Sequence, residues 1–279
     1  MRKFRSAISV ITVLCIVLSL LCSCGKKKYA GINISFMDFG KADAILITTE
    51  NHTVLIDAAN KGDGKVIYEY CTAMERSSID YFIVTHFDKD HVGGAKAVIN
   101  KFESIENIIQ PNYEETNSEY EKYVTAMEEK GITPQIMTEQ LSFTLDDAVF
   151  TVYPALEERY SETNNYSLAV TVEYGESSIL FAGDAEKLRI KELTGQIPQQ
   201  KNGFNLVKMP HHGVAEKNTD DFVEYFSPLK AVITCSEKEP ADEKTLKILE
   251  ENGTETYTTS DGTASFFCDG YSVQKTEQQ

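Results

Sequence analysis

No CxxC pair occurs in this sequence, whose six cysteines are scattered, so neither a zinc ribbon nor a disulfide framework is supported. Cys71, Cys235 and Cys268 lie in apolar settings and read as small buried hydrophobes. Basic charge is also short: 27 Lys and Arg stand against 43 Asp and Glu, a formal net charge of −16. Such a surface repels polyanions, which argues against a processive nucleic-acid binder; a nucleic-acid substrate would need local basic groups or metal to hold it. Internal repeats, low-complexity tracts and interior linkers are absent, so one domain from about residue 30 is the economical reading. Disorder is excluded, because 42% hydrophobic residues, with 10% aromatic, suffice for a full core.

The one long apolar run is at the amino terminus. Arg2, Lys3 and Arg5 precede Ala7–Leu21, a stretch of signal-peptide length. It ends in Leu21-Cys22-Ser23-Cys24-Gly25, which resembles a bacterial lipobox with Cys24 as the acceptor. The expected organisation is therefore a signal peptide over 1–23, a lipidated tether over 24–30, a folded domain over 31–273 and a tail over 274–279. This places the folded part outside the cytoplasm, anchored to the bacterial membrane through lipid on Cys24. Lys26–Lys28 would favour anionic headgroups. Removing residues 1–23 takes three of the 27 basic residues and no acid, leaving 24 against 43, a net −19.

Histidine is scarce, with five in all and none between residues 92 and 210, yet four of the five come in two tight groups. The apolar run Tyr81–Val84 reads as a buried strand. At its carboxyl end, His86, Asp88, Asp90 and His91 fall within six residues before Gly93-Gly94. Two imidazoles and two carboxylates packed so closely fit a shared divalent cation. Downstream, a strand over Ser178–Ala182 runs into Gly183-Asp184, and Leu206–Met209 ends at Pro210-His211-His212-Gly213. Potential ligands at the carboxyl ends of several buried strands converge only if those ends share one rim, which two mixed sheets with helices outside would provide. The other expected strands are Ile32–Met37, Ala44–Ile47, Thr53–Ile56, Ile105–Ile109, a hairpin over Leu141–Tyr153, Ser167–Tyr174, Ala231–Thr234, Thr254–Thr258 and Ala264–Cys268. Helices are expected over Lys65–Arg76, about Gly94–Phe102, Ser118–Lys130 and Asp242–Asn252. Lys208, Lys217 and Tyr166, near the rim, could bind phosphate but read rather as ordinary solvated or packing side chains.

Four stretches, MDFGKADAILI at 37–47, VLIDAAN at 54–60, THFDKDHVGG at 85–94, and FAGDAE at 181–186 with VKMPHHG at 207–213, together carry a family likeness. The sequence resembles the metallo-β-lactamase fold hydrolases, and more narrowly the C-terminal extracellular domain of ComEC-type competence proteins, over about residues 32–272. The resemblance implies an α/β fold, a four-layer αββα sandwich holding two divalent ions. His86 and Asp88 would hold one ion, Asp90 and His91 the other, and Asp184 would bridge them. Of the adjacent pair, His211 is favoured as the ligand because it directly follows the strand, leaving His212, with Asn164, to face substrate. Asp57 would support the ligand loop without touching metal. The broader family has His where Asp88 stands, and a further ligand His where this chain has Asn164-Asn165-Tyr166-Ser167. An oxygen-rich first site admits Mn²⁺ beside Zn²⁺.

Two such ions lower the pKa of a shared water towards neutrality and neutralise charge building on a phosphoryl oxygen, so no Ser or Cys nucleophile is needed. The expected activity is metal-dependent extracellular hydrolysis by a phosphodiesterase or nuclease, with Asp90 and Asp184 positioning the attacking hydroxide. The substrate would be a nucleic acid, a nucleotide or a cell-wall phosphate ester. The alternative is a non-catalytic binding lipoprotein whose metal is structural. No protein partner is evident.

Overall fold

In the computed structural model, which describes residues 29–276, the strands form two sheets. The first three strands, β1 (Ile32–Phe36), β2 (Ile45–Thr48) and β3 (Thr53–Ile56), make an antiparallel meander. Helix α1 (Asp63–Ala73) crosses over to β4 (Ser78–Ile83), which lies parallel to β3. A four-residue helix, α2 (Lys89–Val92), and α3 (Ala95–Lys101) lead to β5 (Ser104–Pro111), and α4 (Ser118–Lys130) leads to the short β6 (Gln135–Met137). The chain then enters the second sheet through β7 (Leu141–Leu145), β8 (Ala148–Tyr153), β9 (Ala169–Tyr174) and β10 (Ser177–Phe181). Helices α5 (Lys187–Gln196), α6 (Thr219–Phe226) and α7 (Glu243–Glu251) alternate with β11 (Leu206–Lys208), β12 (Lys230–Ile233) and β13 (Glu255–Thr258). Finally β14 (Ala264–Cys268) and β15 (Val273–Thr276) return to the first sheet. The sheet orders are β15-β14-β1-β2-β3-β4-β5-β6 and β13-β12-β11-β10-β9-β8-β7.

Three apolar layers show why the strands read as continuous hydrophobic runs. Between the sheets, Ile34, Phe36, Ile47 and Ile56 meet Phe150, Val170, Ile179 and Phe181. On the outer face of the first sheet, Leu46, Leu55 and Phe82 meet Ile67, Val98 and Tyr123 from the helices. On the outer face of the second, Leu180, Val207 and Ile233 meet Ile190, Phe222 and Leu249. Successive residues of one strand point to opposite faces, and here both faces are covered. The result is the expected four-layer αββα sandwich.

One expectation is corrected. β15 extends to Thr276 and pairs with β14, so residues 274–276 belong to the sheet and not to a tail. The two closing strands, β13 and β14, lie in different sheets. The expected signal segment, the tether and Cys24 lie outside the described residues. Among those described, no helix is long and apolar enough to cross a membrane.

Candidate metal centre

The carboxyl ends of β4, β10 and β11 open onto one rim, as their sequence placement predicts. The chain leaves β4 through Thr85 into His86, and α2 places Asp90 and His91 side by side. His86 and His91 are fully buried, with ring centroids 4.1 Å apart. Asp184 follows β10 across Gly183, whose φ of +56° turns the chain towards the rim. Ligand atoms of His86, His91 and Asp184 lie within 4.8 Å of one another; so do those of Asp90, His91 and His212, and those of Asp43, Asp184 and His212.

His211 is not in this cluster, which corrects the expectation drawn from its position after the strand. Both histidines adopt left-handed backbone angles, His211 at φ 46° and His212 at φ 55°, a strained arrangement of the kind found at functional sites. The two turns send the rings different ways. His212 is buried, with Nε2 2.9 Å from Asp184 Oδ2 and 3.6 Å from Asp90 Oδ2. His211 lies nearer the surface, with Nδ1 3.6 Å from Glu186 Oε1 and 4.0 Å from Glu216 Oε1. Asn164, expected at the substrate, donates to Glu186 Oε1 at 3.0 Å and lies 3.3 Å from His211 Nε2. Asp88 belongs to none of the close ligand groups; its Oδ1 accepts from Thr163 Oγ1 at 3.2 Å.

The ring orientations are set from behind. Asp57 accepts from Thr85 N and Thr85 Oγ1, both at 2.7 Å, and its Oδ2 lies 2.8 Å from His91 Nδ1. That contact assigns the proton to Nδ1 and turns Nε2 towards the cluster, as carboxylates behind metal-binding imidazoles commonly do. His212 Nδ1 lies 3.1 Å from the Thr234 carbonyl, with the same consequence for its ring. The Nε2 atoms of His86, His91 and His212 are buried without an assigned hydrogen-bond partner, with Asp184 Oδ2 3.2 Å from His91 Nε2 and 2.9 Å from His212 Nε2. Three orphaned imidazole nitrogens converging on carboxylate oxygens are a donor set that a divalent cation would satisfy.

Electrostatics agree. Burial alone would push the Asp184 carboxyl up, but His212, His91 and Lys208 beside it hold it well below the ordinary range. Asp90 is lowered likewise, with His212 and His91 outweighing its burial. His212 is raised to about 9 against the pull of burial, chiefly by Asp184. His91 is raised by Asp184 and Asp57, and burial together with His91 pulls His86 down to about 4.

Lys208, at the carboxyl end of β11, is not solvated. It is buried, with Nζ 2.5 Å from Asp43 Oδ2, 3.2 Å from Asp184 Oδ1 and 2.9 Å from the Gly183 carbonyl. Asp43, itself buried, was present in the MDFGKADAILI stretch without an assigned part. The available signal was a lysine interrupting the apolar β11 next to Met209, where only a buried partner could compensate its charge.

A two-sheet sandwich with a histidine and aspartate cluster at its strand ends is the arrangement of a metal-binding αββα fold. The chain belongs to the metallo-beta-lactamase superfamily, whose profile matches residues 37–236. That fold binds divalent metals, typically two. The chain is 26% identical over 171 residues to ComE operon protein 3 of Bacillus subtilis, covering 61% of this chain and 22% of that one. It is 22% identical over 237 residues to Recombination protein 2 of Haemophilus influenzae, covering 82% and 27%. It thus spans about a quarter of the length of these relatives. Among solved structures, Igni18, a metallo hydrolase of the archaeon Ignicoccus hospitalis, aligns with a TM-score of 0.55 at 14% identity, over 84% of this chain and 98% of that one. The Bacillus subtilis fold protein YhfI aligns equally well, at 10% identity over 84% and 99%. A CmlA β-hydroxylase variant aligns with a TM-score of 0.56 at 12% identity, over 84% and 53%. These structural likenesses concern the fold alone.

Proposed function

We propose that this protein is a metal-dependent phosphodiester hydrolase, held outside the cytoplasm by lipid on Cys24 and using Zn²⁺ or Mn²⁺. The reading is carried by the Asp90, His91, Asp184 and His212 cluster with its orphaned imidazole nitrogens. His86 would complete one metal position, with Asp88 near it; Asp90, His91 and His212 would form the other. Bound metal would activate water and neutralise charge on a phosphoryl oxygen. Asp90 and Asp184 would orient the attacking water, and His211, outside the cluster beside Glu186, would hydrogen-bond a departing alkoxide.

Support for a small anionic ester comes from the cleft beside the cluster. It encloses about 400 Å³ and is lined by Phe39, Lys41, Lys89, Asp90 and Glu239 among others. That volume suits a nucleotide-sized group, and the two lysines are cations beside the centre of a chain otherwise rich in acid. The weak relationship to ComEC-type competence proteins favours a nucleic-acid ester. The experiment is turnover of bis(4-nitrophenyl) phosphate beside single-stranded DNA, each with Mn²⁺ or Zn²⁺. Cleavage of either supports the reading, and their ratio distinguishes small esters from polymers. A folded, metal-loaded protein that turns over neither would leave the binding-lipoprotein alternative in its place.

A further inference from the structure

Lys208 has three ammonium protons, and three acceptors surround them: the Gly183 carbonyl, Asp184 Oδ1 and Asp43 Oδ2. The side chain is only 1% exposed, so water supplies none of its partners. Asp43 is fixed in turn through its backbone, its N–H donating to the Asp90 carbonyl at 3.0 Å and its carbonyl accepting from Ala59 N at 2.8 Å. One cation therefore ties together the β1–β2 loop, the turn after β10 and the end of β11. It also divides the Asp184 carboxylate. Oδ1 faces the ammonium, while Oδ2 lies 3.2 Å from His91 Nε2 and 2.9 Å from His212 Nε2.

We infer that Lys208, held by Asp43, is a positioning residue that occupies Asp184 Oδ1 and so presents Oδ2 alone to both metal positions. An apolar side chain of similar length could fill the same volume without the cost of burying two charges, so the pair needs a reason beyond packing. Aiming the Asp184 carboxylate, which shares close ligand groups with His86 and His91 and with His212, supplies it. The inference rests on the cluster binding metal and not on which ester is cleaved.

Two measurements test it. In a crystal structure of the Mn²⁺-loaded wild-type protein, Asp184 Oδ1 should remain on Lys208 with only Oδ2 touching metal; a bond from Oδ1 to an ion overturns the inference. The second is equilibrium dialysis against Mn²⁺ for the wild type and for a double variant, Asp43→Asn with Lys208→Met. Both partners are replaced because Lys208→Met alone would strand the Asp43 carboxylate in the interior. The double variant should melt cooperatively, bind its first ion, and bind the second about 10–100-fold more weakly, the loss expected when a ligand's outer partner goes. A purely structural role would move the melting temperature and leave two ions bound at wild-type affinity, which overturns the inference. If the double variant does not fold, the loaded wild-type structure decides. Absence of bound ion from the wild type would instead remove the metal reading itself.

Discussion

Adjacent in the chain, His211 and His212 face different partners, so substituting them should have different effects. His212→Ala removes a buried nitrogen 2.9 Å from Asp184 Oδ2, and metal affinity should fall by more than the roughly 10–100-fold that losing an outer partner costs. His211→Ala should leave metal affinity unchanged and lower turnover only, as read by equilibrium dialysis beside an activity assay. Equal losses of bound metal in the two variants would return His211 to the ligand set. Acidity gives a second expectation, for the metal-free protein. An unfolded histidine titrates near 6.5, whereas folded His212 is raised to about 9. The stability it confers is fully present below about pH 6.5 and is lost as pH rises through about 9. His86, pulled down to about 4, works oppositely, so stability should rise from pH 4 to 6.5. Thermal melts in chelator should therefore peak near pH 6.5, while metal affinity climbs above that pH because bound protons must leave. A melting temperature that keeps rising to pH 9 would contradict the geometry around His212. Much of the site was legible in the chain: His86, Asp90, His91 and Asp184 stand at strand ends with metal-ligand spacing. The histidine pair was not, because two consecutive left-handed residues reverse which ring turns inward, and no pattern of side-chain types records that. The burial of Lys208 was not legible for a related reason, since its partner Asp43 lies 165 positions away and the burial of both follows only from sheet stacking.

Elements hold the cluster through close backbone approach. Gly94, where the ligand helix α2 passes to α3, has the Ala58 carbonyl 2.1 Å from where a Cβ would stand, and the Gly64 nitrogen 2.7 Å away. Both obstacles are backbone, so Gly94→Ala should destabilise by about 1–3 kcal/mol or more and loosen the turn carrying His91. Gly195, near the end of α5, has open space at the same position. There Gly→Ala should stabilise by about 0.4–1 kcal/mol, by restricting the unfolded chain. Urea denaturation of the two variants should move the midpoint in opposite directions; a lowered midpoint for both would discount the steric argument. Most strands were readable because burial on both faces makes them continuous apolar runs. Helix α5 was not, since Arg189 lies fully buried on its inner face beside Ile190 and Leu193 and breaks the apolar stripe. The guanidinium is satisfied there by the Tyr153 and Ser167 carbonyls, Glu192 and Gln196. Helix α6 is only eight residues long, but it buries Thr219, Phe222, Val223 and Phe226 at helical spacing, a stripe that was readable in the chain although no helix was expected there. β6 and β15 are edge strands of three and four residues, too short for a period-2 pattern and formed by pairing to a neighbour.

At the scale of the whole molecule, charge would govern which phosphodiester the proposed activity can reach. The chain carries a formal net charge of −16, and a long polynucleotide would meet that field over its full length, while a small diester entering the cleft would meet Lys41 and Lys89 against Asp90 and Glu239, together with any bound metal. Raising monovalent salt from 0.01 to 0.15 M shortens the screening distance from about 30 to about 8 Å. Repulsion between the acidic surface and distant phosphates is thereby removed, whereas contacts inside the cleft, shorter than either distance, change little. At fixed Mn²⁺, kcat/KM for single-stranded DNA should therefore rise across that range, and kcat/KM for bis(4-nitrophenyl) phosphate should stay nearly flat. The sign is the useful part. A protein that binds nucleic acid by neutralising phosphates with basic groups loses affinity steeply as salt rises, through counterion release. A falling rate on DNA would therefore reveal a basic path strong enough to overcome the net charge, and would move the preferred substrate from small esters to polymers. A rising rate would mean that the acidic surface selects against polymers and that chemistry at the cluster is reserved for esters small enough to slip inside its field.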